Sequence, residues 1–219
     1  MKNVRIWFKK DRECRYISHL DLNRCMLRAL HKSKIPIWYT EGFNRHPFAT
    51  FPLPLSLGFR GENECMDVKL EDDNYSFEEI IIKLNKCLPK GIRVFNVTEP
   101  VMKAGKIAFA DFTIRLTSDT ANTTRIVSAL KELLSRDTIE LEKKSKKGMR
   151  TVDIKPGIKS FEIEEKFDFV SLHVILSAGS SDNINPNLLI TALEKYCNIV
   201  CNAEITRNDL YNSDMELFR

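Results

Sequence analysis

At 219 residues, with 43% hydrophobic and 29% charged residues, the chain has the balance of a globular protein and room for one large domain or two small ones, which excludes a disordered tract. No apolar run approaches the ~18 residues of a membrane span, and residues 1–10 have neither the apolar stretch nor the cleavage site of a signal peptide, so a cytoplasmic protein with no membrane partner is expected. Net charge is +4, yet residues 1–60 hold 12 Lys/Arg against 4 Asp/Glu while the remainder holds 22 against 26; a basic N-terminal quarter suits a phosphate-rich partner, and equally a solvated face.

Taken in chain order, residues 3–9 alternate Val4, Ile6 and Phe8 with polar neighbours, a half-buried strand. Residues 19–33 place Leu22, Met26, Ala29 and Leu30 at helical spacing behind Ser18, a natural N-cap. A second strand is expected at 35–39, an extended piece at 48–59 and a third strand at 65–70. A helix over 77–88 stops at Pro89 and Gly91, and a strand over 92–97 closes the unit. The second half repeats this order. A strand falls at 108–116, a helix at 121–134, extended segments at 138–143 and 149–161 around a basic turn, and a strand at 169–176. A helix at 187–196 opens on Asn185 and Pro186, and a strand at 199–207 ends the repeat. The reading is α+β, two tandem ferredoxin-like β-α-β-β-α-β units, residues 1–103 and 104–219.

Two segments carry most of the chemistry. In Tyr16-Ile17-Ser18-His19-Leu20-Asp21-Leu22-Asn23-Arg24, Ser18 and Asp21 have capping-box spacing, and His19 falls in the first turn, where unpaired amides welcome anions. Arg24 and Arg28 lie four apart on the polar face, a stripe suited to phosphates. In Tyr39-Thr40-Glu41-Gly42-Phe43-Asn44-Arg45-His46-Pro47, an aromatic, an amide, a guanidinium and an imidazole share one loop, as base stacking or phosphate binding needs. If both motifs border one end of a ferredoxin-like unit, His19, Asp21, Asn44, Arg45 and His46 surround one pocket. His19, Asp21 and His46 are then the candidates for acid–base catalysis.

Pro52 and Pro54 lack N–H donors, so residues 51–57 cannot form a central strand. Residues 143–150, with Lys146, Lys147 and Arg150, form a basic hairpin tip able to hold a polyanion, and the small-residue turn at 177–181 could accept an anion on its amides. The six cysteines, at 14, 25, 65, 87, 197 and 201, include no CxxC; reduced, buried thiols, no metal site and no cofactor are expected. No GxSxG, HExxH, Walker or GxGxxG pattern occurs, and the CxxxCxxC of a radical-SAM cluster is missing.

The motifs at 16–24 and 39–47, Phe51-Pro52-Leu53-Pro54-Leu55-Ser56-Leu57-Gly58, Arg150-Thr151-Val152-Asp153-Ile154-Lys155-Pro156, Leu176-Ser177-Ala178-Gly179, and Arg207 with Asp209-Leu210-Tyr211 together resemble the bacterial radical-SAM-linked domain family of unknown function. Arg45 stands where that family's pattern has proline. Members occur beside, or fused to, B12-binding-type radical-SAM proteins, so the resemblance implies a radical-SAM partner and no established activity. Tandem ferredoxin-like units are also similar in fold to CRISPR repeat-processing endoribonucleases and to pseudouridine synthases of tRNA, an analogy that carries no function. The leading expectation is an accessory protein that binds RNA, or another phosphate-rich substrate, through Arg24, Arg28, Phe43, Asn44, Arg45, Lys146, Lys147 and Arg150, and presents it to that partner without being an enzyme on its own. The alternatives are a metal-independent endoribonuclease using His19 and His46, and a protein–protein module that binds no nucleic acid.

Overall fold

The computed structural model describes residues 1–145, 148–179 and 182–219. It is a mixed α+β fold with two compact units. One is Met1–Ile107 with Arg207–Asp209 and Glu216–Arg219; the other is Ala108–Thr206 with Leu210–Met215. The last strand and the C-terminal segment therefore each supply residues to a unit that begins far earlier in the chain.

The first unit contains β1 (Lys2–Lys10), α1 (His19–Ser33), β2 (Ala49–Thr50), β3 (Arg60–Leu70), α2 (Phe77–Cys87) and β4 (Ile92–Thr98). β1 pairs antiparallel with β3, from Lys2 opposite Leu70 to Lys10 opposite Gly61, and with β4 on its other side. Every second residue of β1 (Val4, Ile6, Phe8) and of β3 (Met66, Val68, Leu70) enters one core with Leu22, Met26 and Leu30 of α1 and Ile80 and Leu84 of α2. On the opposite face of β1, Arg5 is fully buried: its guanidinium forks onto Asp67 at 2.7 and 2.8 Å and lies 4.1 Å over the ring of Phe218.

The strand expected at 35–39 does not form. Isolated pairing remains: the bridge Ile37–Leu70 with bonds from Trp38 N to Lys69 O and from Glu71 N to Pro36 O (both 2.8 Å), and the bridge Tyr39–Pro47 with Phe48 N donating to Trp38 O (3.0 Å). The pairing on the outer side of β3 passes to β2, two residues long, with Ala49 opposite Val68 and Thr50 opposite Asp67. Pro36, Pro47, Pro52 and Pro54 flank these stubs without N–H groups, so a longer ladder would lack donors at four positions. The third strand, in turn, is longer than the expected 65–70.

The second unit contains β5 (Phe109–Thr117), α3 (Thr123–Leu134), β6 (Glu140–Ser145), β7 (Gly148–Asp153), β8 (Ile158–Glu165), β9 (Val170–Ser177), α4 (Asn187–Cys197) and β10 (Asn202–Tyr211). Its sheet runs β10-β5-β9-β8, and β6 and β7 form a separate hairpin. The extended stretch read at 149–161 is broken after β7, where Asp153 Oδ1 accepts from Ile139 N (2.8 Å) and Lys155 N (3.0 Å) and a 3-10 turn, Lys155–Gly157, redirects the chain. At the start of α4, Asn185 Oδ1 accepts from Asn187 N at 2.9 Å, the cap read from the sequence shifted by one residue. No helix among the described residues is long and apolar enough to cross a membrane.

Candidate functional site

The start of α1 follows from its residues. Ser18 has extended backbone, its hydroxyl accepts from Asp21 N at 3.1 Å and donates to Asp21 Oδ2 at 2.7 Å. Arg24 adds a contact to Asp21 Oδ1 at 3.1 Å. The Ser18 hydroxyl, with Arg24 behind it, holds the Asp21 carboxyl below the usual carboxylate range. Asp21 is thereby occupied as a helix cap.

One turn further along, the polar face of α1 forms a surface groove of about 380 Å³ lined by Asp21, Arg24, Cys25, Arg28 and Lys32, with Cys87 from the end of α2. Three cations face one carboxylate there, and that carboxylate is already shared with Ser18. The stripe of Arg24 and Arg28 read from the sequence, with Lys32 one turn on, lines this groove, and His31 does not. A second cleft, about 650 Å³, gathers Lys9, Arg12, Lys90 and Arg93 around Asp11, which Arg60 already meets at 3.1 Å. Sequence reasoning missed this one, because its cations come from β1, the turn after it, the loop into β4 and β4 itself. The two backbones touch closely there: Asp11 N donates to Gly91 O (2.8 Å), and a side chain at Gly91 would meet Asp11 O at 2.7 Å with φ at +104°.

The loop at 40–47 lies elsewhere. His31, in the last turn of α1, bonds Tyr39 OH at 2.8 Å, and Tyr39 bridges to Pro47, so the loop hangs from the end of the helix opposite to Ser18. Twelve residues of α-helix separate His19 from His31, ~18 Å. His46 is turned into its own loop: its Nδ1 is 2.9 Å from Asn44 O and its backbone exchanges bonds with Thr40. The two candidate histidines therefore share no hydrogen bond or ring contact among the described residues. The physical reason is the stunted second strand. The chain reaches the loop before it has run back along β3, not after. Phe43 is fully exposed, and Asn44 and Arg45 are exposed beside it, a presentation open to stacking. Arg150 is exposed on β7, while Lys146 and Lys147 lie outside the described residues, as do Ser180 and Ser181 of the small-residue turn.

The segment that does return to the start of α1 is 51–58. Phe51 meets the His19 ring edge-to-face at 5.2 Å, and Gly58 N bonds Arg15 O at 2.8 Å. Beneath them lies a cluster that sequence reasoning missed in part. Lys10 continues the core row Val4-Ile6-Phe8, and Glu64 begins the core row Met66-Val68-Leu70, directly opposite Phe8. The period-2 pattern alone places both inside, and that was the available signal. Gly61 leaves the space that the Glu64 side chain fills, since a Cβ there would meet Glu64 Cγ at 2.4 Å. Arg207 of β10 forks onto Glu64 at 2.9 and 2.5 Å and takes the carbonyls of Leu53 (2.8 Å) and Pro54 (3.3 Å). Pro52 and Pro54 donate nothing, but their segment supplies the acceptors. Burial pushes Lys10 below its ordinary value against the opposing pull of Glu64. Burial first, then Lys10 and Arg207, hold His19 low as well.

Among the described residues no group of three or more His, Cys, Asp or Glu is placed to hold a metal ion. The six cysteines are free, and burial raises the thiols of Cys14, Cys25, Cys197 and Cys201, and that of Cys65 to about 12.

Comparison with known proteins adds a family and a fold. No curated protein matches. Among solved structures, a chain of the one titled "Crystal Structure of a Cbf5-Nop10-Gar1 Complex" is similar, with a TM-score of 0.53 at 14% identity, over 94% of this chain and 48% of that one. At such identity the likeness is one of fold, and this chain spans about half the length of that one. Residues 3–186 match the family described as "Uncharacterized protein conserved in bacteria (DUF2344)", and the chain belongs to that family.

Proposed function

We propose that this protein binds RNA along a basic face of its first unit and presents it to a radical-SAM partner, acting as an accessory module and not as an enzyme on its own. The observation that carries the RNA reading is the convergence of Arg24, Arg28 and Lys32 on one groove. Guanidinium forks at helical spacing, open to solvent and opposed by a single committed carboxylate, suit successive phosphates. The second basic cleft adds Lys9, Arg12, Lys90 and Arg93 to the cations of the first unit, and exposed Phe43 with Asn44 and Arg45 offers a base a surface to stack on. Arg150, Lys146 and Lys147 belong to the same reading as phosphate contacts from the second unit. The partner reading rests on the sequence resemblance alone.

The architecture that goes with this reading is two ferredoxin-like units, 1–103 and 104–219. Its support is strand order. β2 sits on the outer side of β3 and β4 beyond β1, and the second unit runs β10-β5-β9-β8, so both follow fourth-first-third-second.

Purification of the protein from its native host, with sequencing of bound RNA and mass spectrometry of bound protein, tests both halves. RNA and a radical-SAM protein are expected together. Recovery of neither overturns the proposal, and recovery of protein without RNA moves the basic face to an acidic protein partner.

A further inference from the structure

The cleft of Lys9, Arg12, Lys90 and Arg93 holds more positive charge than its own residues answer. Lys9 pairs with Glu62, and Asp11 meets Arg60 at 3.1 Å, so both of those carboxylates are spent. The side chains of Arg12, Lys90 and Arg93 have no partner among the described residues. Arg93 of β4 also stands directly opposite Lys9 of β1, a like-charged cross-strand pair that costs stability until an anion joins it.

The backbone is bent to build this place. Arg12 has φ of +52°, a conformation that glycine takes freely and an arginine takes under strain. It is held there by the contact of two segments: Asp11 N donates to Gly91 O at 2.8 Å, and Cys14 Sγ donates to Lys90 O at 3.3 Å. The turn after β1 and the loop into β4 are thereby tied together, and Arg12 and Lys90 come to one cleft. Strain kept at a residue whose side chain makes no contact of its own points to a ligand. The remaining lining is Leu88, Pro89 and Ile92, with Asn85, whose amide is bound at both ends to the backbone of Val94 (2.8 and 2.9 Å). The polar groups left to meet a ligand are the cations.

We infer that this cleft binds a terminal triphosphate, that of a 5′-triphosphorylated RNA or of a free nucleoside triphosphate. Its volume, about 650 Å³, lies within the ~300–1,000 Å³ of small-ligand clefts. Charge density selects the end over the interior of a strand. An inner stretch brings one negative charge per nucleotide, spread along the chain, whereas a triphosphate gathers several on adjacent phosphorus atoms. Three unanswered cations in one concavity match the second, because the field is focused where the walls exclude water. Two of them are guanidiniums, whose forks suit phosphate oxygens. Leu88, Pro89 and Ile92 are left for the sugar. For an RNA ligand the inference rests on the RNA reading above and adds which end of the strand is held.

Titration of the full chain with one short single-stranded RNA carrying a 5′-triphosphate, a 5′-monophosphate or a 5′-hydroxyl tests this, beside ATP and inorganic tripolyphosphate, all without divalent cations. The triphosphate RNA is expected to bind at least ~10-fold tighter than the hydroxyl RNA, with the monophosphate between them. Arg12→Gly and Arg93→Gln are each expected to erase most of that preference. Arg12→Gly should do so with its melting temperature nearly unchanged, because glycine suits the backbone at 12. Triphosphate RNA tighter than ATP identifies the RNA end as the source, and ATP equal or tighter identifies the free nucleotide. Equal binding of the three RNAs overturns the inference and leaves the RNA reading standing. Saturable tripolyphosphate binding that Arg12→Gly abolishes, with no RNA bound, keeps the site and overturns the RNA reading. Binding of neither RNA nor tripolyphosphate overturns both, and a preference unchanged in folded Arg12→Gly and Arg93→Gln overturns the inference.

Discussion

Arg207 closes a two-pronged ion pair on Glu64, 143 residues earlier in the chain, with both side chains nearly enclosed at 5% and 6% exposure. This contact lies inside the first unit although Arg207 belongs to the last strand, so the C-terminal part of the chain takes part in the first unit's interior. Such a pair gives little net stability when intact, but removing one partner leaves an uncompensated buried charge.

Arg207→Ala and Glu64→Ala are each expected to lose ~3–5 kcal/mol of unfolding free energy, measured by urea titration. Arg207→Lys should recover only part of this, because an ammonium cannot hold both Glu64 oxygens and the Leu53 and Pro54 carbonyls together. A loss under ~1 kcal/mol for both alanine variants would show the pair to be dispensable.

Salt reports on the α1 groove. If three phosphates meet Arg24, Arg28 and Lys32, affinity for single-stranded RNA should fall about 20-fold for a fourfold rise in salt, following a slope of ~0.7 per contact. The double substitution Arg24→Glu and Arg28→Glu should flatten that slope by ~1.4 or more while leaving the melting temperature nearly unchanged, since both side chains are outside the core. Equal slopes for variant and wild type in filter binding would remove the groove from the interface.

Thiol chemistry separates the groove from the core. Cys65, raised to about 12 and buried on β3, should resist iodoacetamide at pH 8 in the folded protein. Cys87 lines the groove with Arg24 and Arg28, so its alkylation should be slowed by bound RNA, with peptide mass spectrometry as the readout. Labelling of Cys87 at the same rate with and without saturating RNA would place the RNA elsewhere.

The elements with clean periodicity were legible in the sequence: β1, α1, α2 and β4, and β5, α3, β9 and α4 of the second unit, follow apolar rows that one secondary structure buries, whereas β7 and β8 carry no such row and were read as one stretch. The region from 35 to 59 was not legible. Its apolar residues alternate as a strand's do, but four prolines remove donors, and pairing with β3 collapses to Ile37, Ala49 and Thr50, with one further bridge from Tyr39 to Pro47. That one failure moved the loop at 40–47 to the far end of α1 and separated His19 from His46. Lys10 and Glu64 were legible in principle, since each continues an apolar row. A charged residue at such a position is normally read as the row's end, and no local signal tells that Arg207 will arrive to enclose it.

The final prediction concerns pH. Burial holds Lys10 below its ordinary 10.5, so the folded protein releases this proton at lower pH than the unfolded chain does. Between the folded value and 10.5 the unfolded state binds more protons, and stability must rise with pH through that window and level off above it. His19 acts with the same sign at the acid end. Its folded value lies below 6.5, mainly through burial, so stability falls as pH drops from 6.5 through that folded value. Urea midpoints for wild type, Lys10→Met and His19→Gln across this range isolate each group by difference. The wild-type minus Lys10→Met curve should climb towards 10.5, and the wild-type minus His19→Gln curve should climb towards 6.5. A difference curve for Lys10→Met that is flat, or that falls as pH rises, would mean that Lys10 keeps its proton in the native interior.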